Sequence, residues 1–213
     1  MYIAPHDATT GEEEWRPFVL AQGFGHLVAV GAHRDLPVVV PTQFVLDGDE
    51  VLAHLVARNP LFEALAENPR ALLSVAGDWA FIPSAWKAIH DEDPALGIPT
   101  TYYGAVQLAG TVTVVDDPDE LGALLRRQLA DVQPDMVAAD PAEAHRAKLA
   151  GIRGLRLAVE QVRAKFKYGD NLDAAHRRAV IDSLRQRAGP GDLAAASHAA
   201  RRLAAQDQRH GSR

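Results

Sequence analysis

The stretch Tyr102-Tyr-Gly-Ala-Val-Gln-Leu-Ala-Gly-Thr-Val-Thr-Val-Val115 decides the fold class. β-Branched residues recur at 106 and at 111 through 115. That density favours a pleated strand over a helix and predicts the longest strand of the chain. Asp116-Asp117-Pro118 ends it and opens a helix to about Asp131. Beyond that helix, residues 155–168 return to strand character, with Leu155, Leu157, Val159 and Val162 closely spaced.

Upstream, residues 71–82 form another apolar, strand-like run, and residues 87–100 a polar loop bounded by Pro94, Gly97 and Pro99. Asn59-Pro60 opens a helix through about Glu67, with Asn59 as N-cap and Pro60 at the first helical position. Glu50 to Ala57 is a strand returning from a hairpin turn at Asp47-Gly48-Asp49. Leu36 to Leu46 is extended, and Pro41 within it marks an edge or a bulge. Phe24 to Val30 is a strand, preceded by a helix over 11–22 that Gly23 stops. At the other end, residues 173–208 read as two helices separated by Ala188-Gly189-Pro190-Gly191. Strands come first, one or two helices cross, strands follow, and helices finish. This is not the βαβ alternation of a parallel sheet. It predicts an α+β fold, an antiparallel barrel with peripheral and C-terminal helices. Residues 1–170 are expected to form the barrel domain and 171–213 a helical extension.

Composition narrows the chemistry. The chain has 213 residues, 47% hydrophobic and 23% charged, as in an ordinary globular protein. It has no cysteine, which removes disulfides, thiolate catalysis, Fe–S clusters and cysteine-ligated haem or zinc. A cytoplasmic protein is expected. The net charge of −6 carries no overall basic footprint for nucleic acid. The late arginines Arg177, Arg178, Arg185, Arg187, Arg201 and Arg202 are interrupted by acids and read as a solvated helix face. No apolar run approaches the ~20 residues that span a bilayer, and the start lacks a signal-peptide pattern. G-x-S-x-G, H-E-x-x-H, Walker and G-x-G-x-x-G motifs are absent. The nine histidines are scattered, with no helical zinc spacing.

Three segments concentrate candidate ligand residues. If 51–58 is a strand, Leu52, His54, Val56 and Arg58 share one face. His54 and Arg58 then lie roughly 13 Å apart at about 3.3 Å per residue. A histidine on an apolar surface and an arginine before a helix start suit a flat cofactor with an anionic tail. An interior histidine and a surface ion-pair arginine satisfy the same pattern. Segment 77–86 holds two of the three tryptophans, and 99–107 adds Tyr102 and Tyr103. These aromatics line a planar ligand or pack a dimer core. Arg163, Lys165 and Lys167 share a strand face, either as an anion site or as a lysine-protected strand edge.

Together these segments resemble the PaiB-like family of FMN-binding negative transcriptional regulators, over about residues 1–185. The resemblance runs from Met1-Tyr2-Ile3 and His6 through His54 and Ala57-Arg58-Asn59-Pro60. It continues through Phe81-Ile82-Pro83 with Trp86, Pro99-Thr100, Tyr103 and Ala105-Val106, and ends near Lys165-Phe166-Lys167 and Asn171. It implies a split β-barrel like that of the pyridoxamine phosphate oxidases, a homodimer with cofactor sites at the subunit interface, and a phosphate-holding turn at 57–59. Three departures stand out. Family members read Tyr-Ile-Ser-Pro-Ser-Trp-Tyr where this chain has Phe81-Ile82-Pro83-Ser84-Ala85-Trp86-Lys87. They read Pro-Thr-Trp-Asn-Tyr where it has Pro99-Thr100-Thr101-Tyr102-Tyr103, and Lys-Leu-Ser-Gln-Asn where it has Lys167-Tyr168-Gly169-Asp170-Asn171.

The chain is also similar in size and pattern to the piperazate synthases, a haem-dependent offshoot of this group. That resemblance implies haem b as cofactor and conversion of N5-hydroxyornithine to piperazic acid, an N–N bond-forming step on an amino-acid substrate. His54 would then be the axial metal ligand. Arg58, Asn59, Trp86 and Lys167 would hold the cofactor, and Lys165, Tyr102 and Tyr103 would orient substrate and move protons. The alternative is FMN, in a regulator that also binds DNA or in a flavin oxidoreductase.

Overall fold

A computed structural model describes residues 1–88, 93–135 and 146–211. Part of the expected loop, 89–92, lies outside the described residues. Helix α1 is Glu12–Gln22, followed by strands β1 (Phe24–Ala29), β2 (Val38–Gln43), β3 (Val45–Asp47) and β4 (Glu50–Val56). Helix α2 (Leu61–Glu67) leads into the long strand β5 (Arg70–Ile82). The strand read from the opening stretch is β6 (Thr100–Val115). Helices α3 (Pro118–Val132) and α4 (Arg146–Leu149) precede β7 (Ile152–Lys167), and the chain ends in α5 (Ala174–Arg187) and α6 (Asp192–Gly211).

The strands form one sheet in the order β2-β1-β5-β6-β7-β4-β3. The β1–β2, β1–β5, β3–β4 and β4–β7 pairings are antiparallel. Pro41 lies in the edge strand β2, where a missing N–H leaves no ladder bond broken on the outer side. The β3–β4 hairpin closes with Asp47 opposite Glu50, and Gly48 takes φ 57°, the left-handed conformation that its two-residue turn needs. Helix boundaries follow local capping. The Asp117 carboxylate accepts from the amides of Asp119 and Glu120, with Pro118 at the first helical position. The Asp173 carboxylate accepts from the His176 amide at the start of α5.

The chain divides into two compact units, one of Met1–Glu14, Ala76–Ala105 and Ala164–Arg213, the other of Trp15–Val75 and Val106–Arg163. We call them the first and second units. In the second unit, Leu52, Val115, Leu121, Leu124 and Leu149 form a buried cluster with Leu125 and Ile152 at its margin. Each such side chain contributes about 1.5–3 kcal/mol of burial, so this cluster fixes α3 beside the face of β4 that carries Leu52.

The first unit is held differently, by charge and ring stacking. The His198 ring stacks between Phe166 (centroids 4.7 Å apart) and Tyr168 (4.6 Å), so α6 is keyed into the end of β7. Asp170 receives hydrogen bonds from both Arg177 and Arg202. Arg202 also donates twice to Glu14, at 2.7 and 2.8 Å, and Glu14 lies 3.1 Å from His198 Nε2. Late arginines that read as a solvated face thus include two buried ones, Arg177 and Arg202. Their carboxylate partners lie outside the helices that carry them, so no spacing within those helices reveals the pairing.

Candidate functional site

Two places bring candidate residues together, one in each unit. The first is His54 on β4. Its ring is exposed, and Nδ1 lies 2.7 Å from Gln128 Oε1 on α3. The Gln128 amide is oriented by its own Nε2, which donates to the Leu52 carbonyl at 3.4 Å. Oε1 therefore faces the imidazole as an acceptor, and Nδ1 carries the proton. Nε2 is left with its lone pair and no hydrogen bond among the described residues. Gln128 carries no sequence signal for this role. It reads as one more polar residue of an amphipathic helix.

Arg58 does not share the strand face of His54. Strand β4 ends at Val56, where the Asn59 amide donates to the Val56 carbonyl at 2.9 Å and closes a turn over residues 57–58. The alternation that would place Arg58 at a fixed distance along β4 stops there. Arg58 is exposed and makes no ion pair among the described residues. The start of α2 offers less to an anion than its sequence implies. Asn59 Oδ1 accepts from the Leu61 amide at 3.0 Å, the Asn59 carbonyl accepts from Phe62, and Pro60 has no N–H. The Asn59 side-chain amide nitrogen is the donor left over.

The second place is a cleft of about 450 Å³ built entirely from the first unit. Lys87, Thr100, Tyr102, Lys167 and Gly169 line it, together with Asp7 and an apolar rim that includes Leu96, Ile98 and Leu172. Lys167 Nζ donates to Thr100 Oγ1 at 2.6 Å. Burial lowers the Lys87 ammonium pKa below its ordinary value, and the charge of Lys167 adds to that. Tyr102 is 1% exposed, and its hydroxyl has no hydrogen-bond partner. Its pKa is pushed up to about 12, chiefly by burial, so it is a neutral donor at pH 7.

Lys165 and Lys167 part company. Lys165 is buried, 3.6 Å from Asp7 Oδ2, donates to the Tyr2 carbonyl at 3.2 Å and lies over the rings of Tyr2 and Tyr103. It is a cation enclosed by partners, and only Lys167 of the two faces the cleft. Arg163 belongs to the second unit, so the expected three-cation face is divided between the units. Trp86 has the Arg187 guanidinium over its ring at 4.6 Å, and its carbonyl lies 2.7 Å from His176 Nε2. One face of that indole is thus already covered. Lys87 escaped selection as a site residue, although it marks one departure from the family pattern. The other two departures also reach the cleft, at Tyr102 and Gly169.

Residues 1–161 match the family model described as "Putative FMN-binding domain". The chain belongs to this FMN-binding family. Among curated relatives it is 24% identical over 197 residues to "Protease synthase and sporulation protein PAI 2" of Bacillus subtilis (strain 168), covering 89% of this chain and 92% of the relative. Its fold is similar to that of the flavocytochrome Anf3 from Azotobacter vinelandii, with TM-score 0.61, 19% identity and coverage of 81% and 74% of the two chains. It is equally similar to an FAD and heme binding protein from Mycobacterium smegmatis, with TM-score 0.60, 23% identity and coverage of 81% and 79%. The fold class is therefore the α+β antiparallel split β-barrel with peripheral helices. Among the described residues, no helix is long and apolar enough to cross a membrane.

Proposed function

We propose that this chain binds haem through His54 and is an enzyme of the piperazate synthase type, forming an N–N bond in an N5-hydroxylated ornithine. One observation carries the haem assignment. Gln128 holds the exposed His54 ring in the single tautomer that presents Nε2 outward. An oriented, neutral imidazole whose other nitrogen donates to a fixed acceptor is the form that ligates a metal best. Arg58, exposed and unpaired, suits a propionate. Relatives in fold whose names record haem together with a flavin support the same reading. The reaction itself rests on the resemblance in sequence pattern.

Bound haem would supply a metal centre able to activate the hydroxylamine N–O bond. The overall change is redox neutral: the N–O bond breaks, the N–N bond to the α-amine forms, and water leaves. Tyr102, in the first unit, stays protonated and is a donor rather than a base. Lys165, enclosed by Asp7, the Tyr2 carbonyl and the rings of Tyr2 and Tyr103, is given no part in substrate binding. Tyr103 supplies a ring face to that cation.

A second reading has a specific observation behind it. The family model and the Bacillus relative favour FMN, with Arg58 and the Asn59 side-chain amide on the phosphate of a regulator or flavin oxidoreductase. The net charge of −6 weighs against a DNA partner. In either case a cytoplasmic homodimer is part of the proposal.

The test is the absorption spectrum of the purified protein, alone and after adding hemin or FMN. A Soret band that His54→Ala abolishes, and that Gln128→Leu weakens through a 10–100-fold loss of hemin affinity, supports haem. A Soret band unchanged in His54→Ala removes His54 from the role. A flavin spectrum without hemin uptake selects the second reading. Conversion of N5-hydroxyornithine to a product lighter by one water tests the reaction.

A further inference from the structure

Three observations meet in the cleft of the first unit. It holds two lysines, Lys87 and Lys167, and the charge of Lys167 is felt at Lys87. Among the described residues no acid lies between them, and like charges so gathered in one concavity are relieved by an anion. The carboxylate that lines the cleft, Asp7, is already engaged by Lys165 at 3.6 Å and lies 3.7 Å from His6 Nε2. It therefore does not neutralise the pair.

The second observation is the Tyr102 hydroxyl. It is buried, remains protonated and has no acceptor. A buried donor without a partner costs about 1–3 kcal/mol, and an anionic oxygen removes that cost. It lies against Gly169, another residue of the lining: a Cβ at 169 would come within 2.1 Å of the Tyr102 oxygen. The bare backbone at 169 is what leaves room for the phenol. The third observation is the apolar rim. Leu96 and Ile98 are 65% and 79% exposed beside these cations. Exposed aliphatic side chains next to half-buried charge match a ligand with one anionic end and one apolar end.

We propose that this cleft binds a small organic anion, its carboxylate or phosphate head between Lys87 and Lys167 and within reach of the Tyr102 hydroxyl, its aliphatic body against Leu96, Ile98 and Leu172. The site is independent of His54 and of which cofactor the chain carries. It needs no residue of the second unit.

The test uses the full chain and three probes of matched body: hexanoate, butyl phosphate and uncharged 1-hexanol, titrated by calorimetry. At least one anion binds and hexanol does not, and the tighter anion identifies the head group. Lys87→Gln and Lys167→Gln each weaken binding by about 10-fold or more, the effect of losing a hydrogen bond to a charged group. Tyr102→Phe weakens it several-fold, and the surface variant Arg178→Gln leaves it unchanged. Wild-type protein with 13C-dimethylated lysines supplies a readout without variants: the Lys87 resonance titrates at higher pH when the anion is bound. Binding by neither anion, equal binding of hexanol, or unchanged affinity in the Lys87→Gln/Lys167→Gln double variant overturns the proposal. A His54→Ala variant that loses cofactor yet keeps the anion separates this site from the cofactor reading.

Discussion

Replacing Tyr102 by Phe should stabilise the ligand-free protein, against the usual direction for a buried residue. Tyr102 is 1% exposed and its hydroxyl is unpaired. Folding therefore strips water from that group without replacing the hydrogen bond, at about 1–3 kcal/mol. Phenylalanine keeps the ring, including its edge-on contact with Tyr168 at 5.9 Å, and loses a few tenths of a kcal/mol of dispersion contact with the oxygen. The net expectation is a gain of about 1 kcal/mol, or roughly 2–4 °C in Tm for a chain of this size. Gly169→Ala supplies the complementary half. Gly169 has φ 79°, which costs an L-residue about 1–2 kcal/mol, and the new Cβ would lie 2.1 Å from the Tyr102 oxygen and 2.9 Å from Cζ. In the Tyr102→Phe background the nearest clash disappears while the backbone strain and the Cζ contact stay. The double variant should thus be less destabilised than the sum of the singles by about 1–2 kcal/mol, well outside the additivity of independent sites. Urea unfolding of the four proteins, followed by far-UV circular dichroism, measures this cycle. A Tyr102→Phe variant destabilised by more than about 1 kcal/mol would mean that the hydroxyl has a partner. Additive singles would mean that Tyr102 and Gly169 do not share the space assigned to them.

Two further predictions concern the charges that hold the first unit. Burial pushes the Glu14 carboxyl up, but bonds from His198, the Thr10 amide and Arg202 outweigh it and bring its pKa from 4.5 to about 2. A folded-state pKa below the unfolded one adds stability above pH 4.5, about 3 kcal/mol, that is lost as pH falls through that value toward 2. Glu14→Gln should flatten this part of a pH–stability profile measured by urea midpoint, and an unchanged profile would exclude Glu14 as its source. Asp170→Asn leaves two buried guanidinium groups short of their shared carboxylate and should destabilise by about 3–5 kcal/mol. A loss below 1 kcal/mol in the same urea assay would show that Arg177 and Arg202 find other acceptors.

What was legible in the sequence is what local chemistry controls. Pro118 after Asp117, Gly48 in its hairpin and the β-branched run to Val115 each act on the backbone within a few residues. Each therefore read correctly. Arg58 is a separate, local case: it left the His54 face because the Asn59 amide closes a turn onto the Val56 carbonyl. Lys165 looked like part of an anion site because its partner Asp7 is remote in sequence, joined to it where Ala8 bridges Lys165. Gln128 looked interchangeable with any polar helix residue until α3 lay beside β4. In these last two cases the sequence displays the side chain but not the acceptor that tertiary structure brings to it.

The three departures from the family pattern can be weighed in the same terms. The three segments change ten positions, of which Lys87, Tyr102 and Gly169 line one cleft. Drift would leave such changes energetically independent. Two of them are sterically bound together, since a side chain at 169 cannot coexist with the phenol at 102. The phenol buries a donor without an acceptor, while glycine at 169 suits a φ of 79° that an L-residue adopts only at a cost. The third change, Lys87, brings a second cation toward Lys167 and raises the electrostatic cost again. The unpaired phenol and the second cation, gathered in one concavity, have a common physical remedy in a bound anion. Strain of this kind collects where a ligand relieves it. These changes therefore point to the anion proposed for that cleft.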